Sequence, residues 1–214
     1  MAIVGNGLSL AGHWEDALVV IKAELSMLAR LGPSKVPRRY MLVVQSNLAT
    51  TFDQLGKKDE ALRLTRKLYS EHLKLHGEEA KETVSEARNY ADNLIALRRF
   101  EEAKTLLLKT VPVARRTLGE GHRLALTLKK LYAEALYSAD GATLDDIRES
   151  VGMLEEMTGT ARRVFGGAHP LTDNFEYELE RARAALRAAN LLDGLVYPVD
   201  PSWQRHWRVG HGVN

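Results

Sequence analysis

A self-similar unit of 42 residues runs through this chain, and a unit of that length must be one supersecondary element that needs its neighbours to bury its apolar face. Asn47-Leu48-Ala49 returns 42 residues later as Asn89-Tyr90-Ala91, and again after 42 residues as Leu131-Tyr132-Ala133. A second landmark follows each. Gly56-Lys57-Lys58-Asp59-Glu60-Ala61-Leu62 matches Arg98-Arg99-Phe100-Glu101-Glu102-Ala103-Lys104, and Gly12-His13-Trp14-Glu15-Asp16-Ala17-Leu18 matches both. A third landmark closes the unit: His76-Gly77-Glu78-Glu79, then Leu118-Gly119-Glu120-Gly121-His122, then Phe165-Gly166-Gly167-Ala168-His169-Pro170 after 47 residues. The five extra residues fall around Ser138 to Asp145. Thr143 with Asp146 three places on reads as a helix N-cap, so the insertion is expected to add about one turn at the front of that helix.

Between landmarks the apolar spacing is helical. Leu62, Leu64, Leu68, Leu73 and Leu75 lie on one helix, and Leu106, Leu107, Val111, Val113 and Leu118 on its successor. A glycine at the end of each helix is expected to supply a left-handed C-cap. Acidic residues open each second helix, and Lys74, Arg115, Arg116, Arg162 and Arg163 lie near its end, matching the helix dipole. The small residues Ala17, Ala61 and Ala103 would let paired helices approach closely. No segment alternates apolar and polar residues long enough for a strand. The fold class is therefore all-α, antiparallel helix pairs in a solenoid, with about nine helices expected at 2–11, 13–31, 37–55, 58–75, 81–97, 100–117, 123–139, 144–165 and 171–189. The organisation is a repeat array over 1–189 (partial repeat 1–36; repeats 37–79, 80–122 and 123–170; terminal helix 171–189) followed by an apolar, aromatic tail, 190–214.

The Asn-Leu-Ala, Gly-x-x-Glu-Glu-Ala and Leu-Gly-x-x-His-Pro landmarks at this spacing resemble the tetratricopeptide repeats of kinesin light chains. The resemblance covers about residues 1 to 185. It implies a right-handed superhelix whose first helices line a concave groove for peptide segments of partner proteins. It also places Asn47 and Asn89 where Asn commonly lines that groove. Leu131 holds the position in the third unit, so the groove there is expected to be more apolar, and Glu178 holds it in the fourth. The family's His-Pro is intact only at His169-Pro170, and Ala80 stands at the place of the histidine in the first full unit. The coiled-coil segment of kinesin light chains has no counterpart, because no heptad run is present.

Helical spacing puts Ser46, Thr50, Arg88, Asp92, Lys130 and Glu134 on the face of the two asparagines. Together with Asn47 and Asn89 they are the candidate partner-binding residues, Arg88 and Lys130 being suited to an acidic side chain. The ordinary reading of each is a solvated face or a bond within the array.

Other constellations argue against chemistry. The chain has no cysteine, which excludes a disulfide framework and a thiolate metal site. His72 and His76 are four apart but lack a third ligand. The doublets Arg38-Arg39, Arg98-Arg99, Arg115-Arg116 and Arg162-Arg163 lack interleaved aromatics for base stacking, and 30 basic against 28 acidic residues leaves only +2. The pairs Asp145-Asp146, Glu155-Glu156 and Glu101-Glu102 have no partner base or nucleophile motif. No cofactor, no nucleic acid and no membrane are expected. The stretch Leu8 to Leu31 is broken by charges and cannot span a bilayer, and the start has no targeting pattern. The expectation is a cytoplasmic, non-enzymatic adaptor. The tail residues Leu195, Tyr197, Trp203 and Trp207 either cap the last helix or enter a groove. An alternative to the adaptor is a self-associating module, dimerising through apolar surface around Val4, Leu8 and Leu10, or a fragment of a longer array with no peptide client.

Overall fold

The computed structural model describes residues 7–9 and 11–195. All regular structure in these residues is helical. Residues 7–9 (α1) are followed by α2 (Trp14–Leu31), α3 (Arg38–Gln54), α4 (Lys58–His76), α5 (Lys81–Ala96), α6 (Phe100–Leu118), α7 (Arg123–Ser138), α8 (Leu144–Phe165) and α9 (Pro170–Leu195). Most boundaries fall within one residue of the repeat-based expectation. One exception is α9, which runs six residues past 189, because Ala188, Ala189, Leu191 and Leu192 are good helix formers and Gly194 falls only in its last turn. The start of the expected helix 2–11 lies outside the described residues, and Ala11 is in a turn. The expected apolar surface at Val4 and Leu10, and the tail beyond Leu195, lie outside the described residues. Leu8 packs on the Ala17, Ile21 and Val44 cluster.

Each helix packs against the next, and three landmarks explain how. Ala17, Ala61 and Ala103 are fully buried, as are Ala91 and Ala133 in the first helices. In the unit carrying the insertion, Ser150 takes the same place, buried, with its hydroxyl donating to the Ile147 carbonyl at 2.8 Å. The insertion is divided between two places. The connection 139–143 is longer than its counterpart 97–99, and α8 has 22 residues where α6 has 19. The front of α8 carries a capping box: Thr143 Oγ1 accepts from the Asp146 N–H at 3.1 Å, and Asp146 Oδ2 accepts from the Thr143 N–H at 3.0 Å. The histidine of the third landmark is an N-cap as well. His122 Nδ1 accepts from the Leu124 N–H and His169 Nδ1 from the Leu171 N–H, both at 3.1 Å. Ala80 gives α5 no such cap.

The second helices end on Gly32, Gly77, Gly119 and Gly166, with φ from 77° to 93° and ψ from 153° to 174°. The positive φ agrees with expectation, but the extended ψ does not. These residues lie outside the αL well of a usual C-cap, in a region open essentially to glycine alone. The extended ψ is what turns the chain sharply enough to start the next unit. At the ends of the first helices, Gly56 has φ 71° and its repeat equivalent Arg98 has φ 57°.

First helices touch one another directly, α5 on α7 and α7 on α9, while the second helices α4, α6 and α8 make no comparable contact. An array whose inner layer is in contact and whose outer layer is spread must curve toward the inner layer. The concave side is therefore formed by α5, α7 and α9, and α3 joins α5 through the bond from Ser46 Oγ to Glu86 Oε1.

Candidate functional site

The free face of α5 is set by what the other faces bury. Val84, Ala87, Ala91 and Leu94 pack inward, which leaves Lys81, Ser85, Arg88, Asp92 and Ala96 on the concave side. The repeat carries that stripe across the array as two rows: Ser46, Arg88, Lys130 and Tyr177, and one turn on, Thr50, Asp92, Glu134 and Arg181. Asn47, Asn89, Leu131 and Glu178 form a third row, set deeper. All eight sequence-designated residues thus stand on α3, α5 and α7 of one face.

The eight do not share one environment. Ser46 is part-buried and donates from Oγ to Glu86 Oε1 at 2.8 Å, joining α3 to α5. Asn89 is held at both ends: its Nδ2 donates to Glu86 Oε2 at 3.3 Å, and its Oδ1 accepts from Arg88 Nη1 at 2.7 Å. A donor on one side and a carboxylate on the other dictate which way the amide points. Thr50 is exposed and donates to the Ser46 carbonyl at 3.2 Å, whereas Asn47 is half-buried and its carbonyl accepts from Thr51. Asp92 is exposed. Lys130 lies 3.4 Å from Glu134, and Glu134 lies 3.5 Å from Arg181 of α9.

Leu131 does not make the groove more apolar. It is 1% exposed and packs into the core with Leu94, Leu107 and Leu128, because the deep row lies at the seam between first helices and an aliphatic side chain there turns inward. Glu178 at the same row is also buried. It accepts from the Tyr137 hydroxyl at 2.7 Å and from Arg181 Nη1 at 3.1 Å. Burial, then the bond to Glu178, pushes the Tyr137 hydroxyl well above the usual tyrosine range. Arg181 also covers the faces of Tyr137 and Tyr177, at 5.7 and 5.9 Å from the ring centroids.

Sequence reasoning missed Glu86, Tyr137 and Arg181. Two of them carried a signal. Arg181 falls in the Thr50, Asp92 and Glu134 row once the 47-residue third unit is counted. Glu86 occupies the row of Val44, Leu128 and Phe175, all almost completely buried, so a carboxylate appears where the repeat otherwise requires an apolar side chain.

The remaining constellations have structural partners. Arg38 pairs with Glu71, Arg39 with Glu82, Arg98 with Asp140, Arg99 with Glu102, Arg115 with Glu120, Arg116 with Glu79 and Arg162 with Glu176. Several of these bonds stitch one helix pair to the next, which accounts for the doublets without an external polyanion. The acidic pairs are engaged likewise, Glu155 with Arg183 and Glu156 with Lys129. His72 is buried and His76 exposed, with ring centroids 5.5 Å apart. Among the described residues no group of three His, Asp or Glu side chains is placed to hold a metal ion, and no helix is long and apolar enough to cross a membrane.

Comparison with known proteins agrees with this architecture. Residues 86–124 match the tetratricopeptide repeat family model. Curated protein sequences give no match. Among solved structures, a Podosopora anserina protein of kinesin light chain type with nearly identical TPR-like repeats is similar at 21% identity and a TM-score of 0.68, over 94% of each chain. A point variant of it gives 0.69 at 21% identity, over 94% of this chain and 93% of that one. BtubC (BKLC) from P. vanneervenii is similar at 17% identity and a TM-score of 0.67, over 100% of this chain and 81% of that one. Residues 86–124 thus match a tetratricopeptide repeat, and the chain shares the fold of TPR-like repeat arrays, among them those of kinesin light chain type.

Proposed function

We propose that the chain is a protein-interaction scaffold that takes up an extended or helical segment of a partner protein along the concave face of α3, α5, α7 and α9. One observation carries the reading. Glu86 puts a carboxylate, 6% exposed, in a row that is otherwise aliphatic or aromatic. Burying a charge costs stability unless it is well bonded, and hydrophobic replacement of such groups is often neutral or stabilising. Glu86 spends its oxygens on Ser46 and Asn89, two side chains of the concave face. A residue that is poor for packing but orients groove groups is what a binding surface retains. The test is Glu86→Leu, the residue of its own row. The fold and melting temperature should hold or rise, while capture of peptides selected from a display library on the wild-type chain should be lost, as it should be in Asn47→Ala/Asn89→Ala. If the Leu variant captures those peptides unchanged, the groove reading is wrong.

A second reading is self-association through the N-terminal end. It is favoured by the exposed apolar residues of α2, namely Val19 (69%), Met27 and Leu31. Sedimentation velocity decides it: a single monomer species at tens of micromolar removes this reading.

A further inference from the structure

The groove charges are not equally committed. In α3 and α7 the charged side chains away from the first residue are ion-paired: Asp53 with Lys58, Arg39 with Glu82, Lys129 with Glu156, Lys130 and Glu134 with each other. In α9, Arg181 is engaged by Glu134 and Glu178. Lys130, expected to receive an acidic side chain, is thus already neutralised. In the interior of α5 the situation differs. Arg88 donates to the neutral amide oxygen of Asn89 rather than to a carboxylate. Asp92, one turn further, is exposed and forms no ion pair with Arg88 although the two are four apart on one face. Arg88 spends Nη1 on the Asn89 amide, at 2.7 Å, instead. A positive and a negative side chain therefore stand next to each other in the middle of the concave face, and among the described residues neither forms an ion pair.

We infer that Arg88 and Asp92 form a two-charge reader, and that the segment it fits carries one acidic and one basic side chain two residues apart on an extended strand. This rests on the groove reading above and names the partner's chemistry. The spacing follows from geometry. Positions i and i+4 of a helix lie about 5–6 Å apart at Cβ, and alternate residues of an extended strand, which share a face, lie about 6.5–7 Å apart. The acidic side chain pairs with Arg88, bidentate where the amide of Asn89 leaves guanidinium donors free, and the basic one pairs with Asp92. A segment with two acidic residues at that spacing meets Asp92 with like charge, so the pair rejects uniformly acidic segments as well as attracting mixed ones.

The experiment uses the full chain and a random-peptide display library. Selection is run on the wild type, on Asp92→Arg, and on the exchanged double variant Arg88→Asp/Asp92→Arg, with circular dichroism confirming the helical fold of each. Wild-type selection should enrich peptides with one acidic and one basic residue two apart. The exchanged variant should enrich the reverse order, and Asp92→Arg should enrich doubly acidic segments. Each mismatch of charge should weaken a synthetic selected peptide about tenfold, the loss shrinking at high salt. If peptides are selected and depend on Glu86 and Asn89, yet carry no such pair or bind the exchanged variant as well as the wild type, the charge reader is overturned and the groove stands. If no peptide is selected at all, both fall together.

Discussion

Adding a single methyl group at two glycines should change stability in opposite directions. Gly119 ends α6 with φ 90° and ψ 153°, and Gly152 sits on the exposed face of α8. A Cβ built on either meets nothing within 4 Å, so neither substitution creates a clash. What differs is the backbone. At Gly119 an L side chain must be held in a region open essentially to glycine, at about 1–3 kcal/mol. Reduced freedom of the unfolded chain returns about 0.4–1 kcal/mol of this. The net loss for Gly119→Ala is therefore about 1–2 kcal/mol. Gly152→Ala places the best helix former in a helix interior and should stabilise by about 0.5–1 kcal/mol. At about 2–4 °C per kcal/mol for a chain of this size, the first should melt several degrees below the wild type and the second a few degrees above it. Urea and thermal melts followed by far-ultraviolet circular dichroism read both. Because repeat arrays can lose cooperativity, the ends are monitored separately, with Trp14 fluorescence in a Trp203→Phe/Trp207→Phe background reporting the N-terminal unit. Shifts of the same sign, or an unchanged Gly119→Ala, would refute the claim that backbone conformation and not space governs these sites.

Three further outcomes follow from bonds already described. Tyr137→Phe keeps the ring and removes the donor to a buried carboxylate, so it should destabilise by about 1.5–3 kcal/mol, and a double-mutant cycle with Glu178→Gln should show strong coupling; additive effects would deny the bond. Ala103→Leu should cost about 1–3 kcal/mol by overpacking at a position with no exposed surface, and a denaturation midpoint equal to the wild type would show that the helices do not meet there. The Asp146 carboxyl is held below its ordinary value, first by the Thr143 side chain and then by the Thr143 backbone N–H. A depressed folded-state value means its contribution is complete above the unfolded value of about 3.8 and is lost as pH falls through the lower, folded one. Thr143→Ala should cost about 1 kcal/mol at neutral pH and less at pH 2, and a loss independent of pH in an acid titration of stability would remove the reciprocal cap.

Helix positions were legible because the repeat reports the same boundary several times. A glycine, a charged start and a buried alanine recur together, and each alone would be weak. Three things were less legible, for separate reasons. The 42-to-47 change shows where the third unit lengthens, but the division between loop and helix depends on where Thr143 caps, which spacing leaves free by a few residues. The closing glycines announce a positive φ, whereas their extended ψ is set by how the following unit must pack. The pairing of Lys130 with Glu134 is written in their i,i+4 spacing on α7, but that of Glu134 with Arg181 depends on the distance between α7 and α9, a quantity fixed by the side chains between them and written in no local pattern.

The deep row shows why equivalent position does not mean equivalent role. Asn89, Leu131 and Glu178 occupy one repeat position, and the seam between neighbouring first helices accepts all three on different terms. Leucine turns into the core and leaves the groove surface to the residue before it. Asparagine stays at the seam because Glu86 and Arg88 use both ends of its amide. Glutamate is buried outright and therefore needs Tyr137 and Arg181, which removes the only arginine of the second groove row from service as a ligand contact. At Asn89 and Glu178 the deep-row side chain thus bears on whether the nearby arginine is free, whereas Lys130 beside Leu131 is paired by Glu134. In α7 and α9 the charge is not free, since Lys130 and Arg181 are drawn into the Glu134 and Glu178 network. In α5 it is, because an amide satisfies hydrogen bonds without neutralising charge. Asn89→Asp alone would set a second carboxylate against Glu86 in place of the amide donor. The exchange Asn89→Asp/Glu86→Gln, which keeps a donor between the two side chains, is the cleaner variant. It should convert Arg88 into an internal ion pair, leave the fold intact, and silence the groove at its centre; retained peptide affinity in it, with Glu86→Gln alone as the control, would show that a free guanidinium is not what the asparagine preserves.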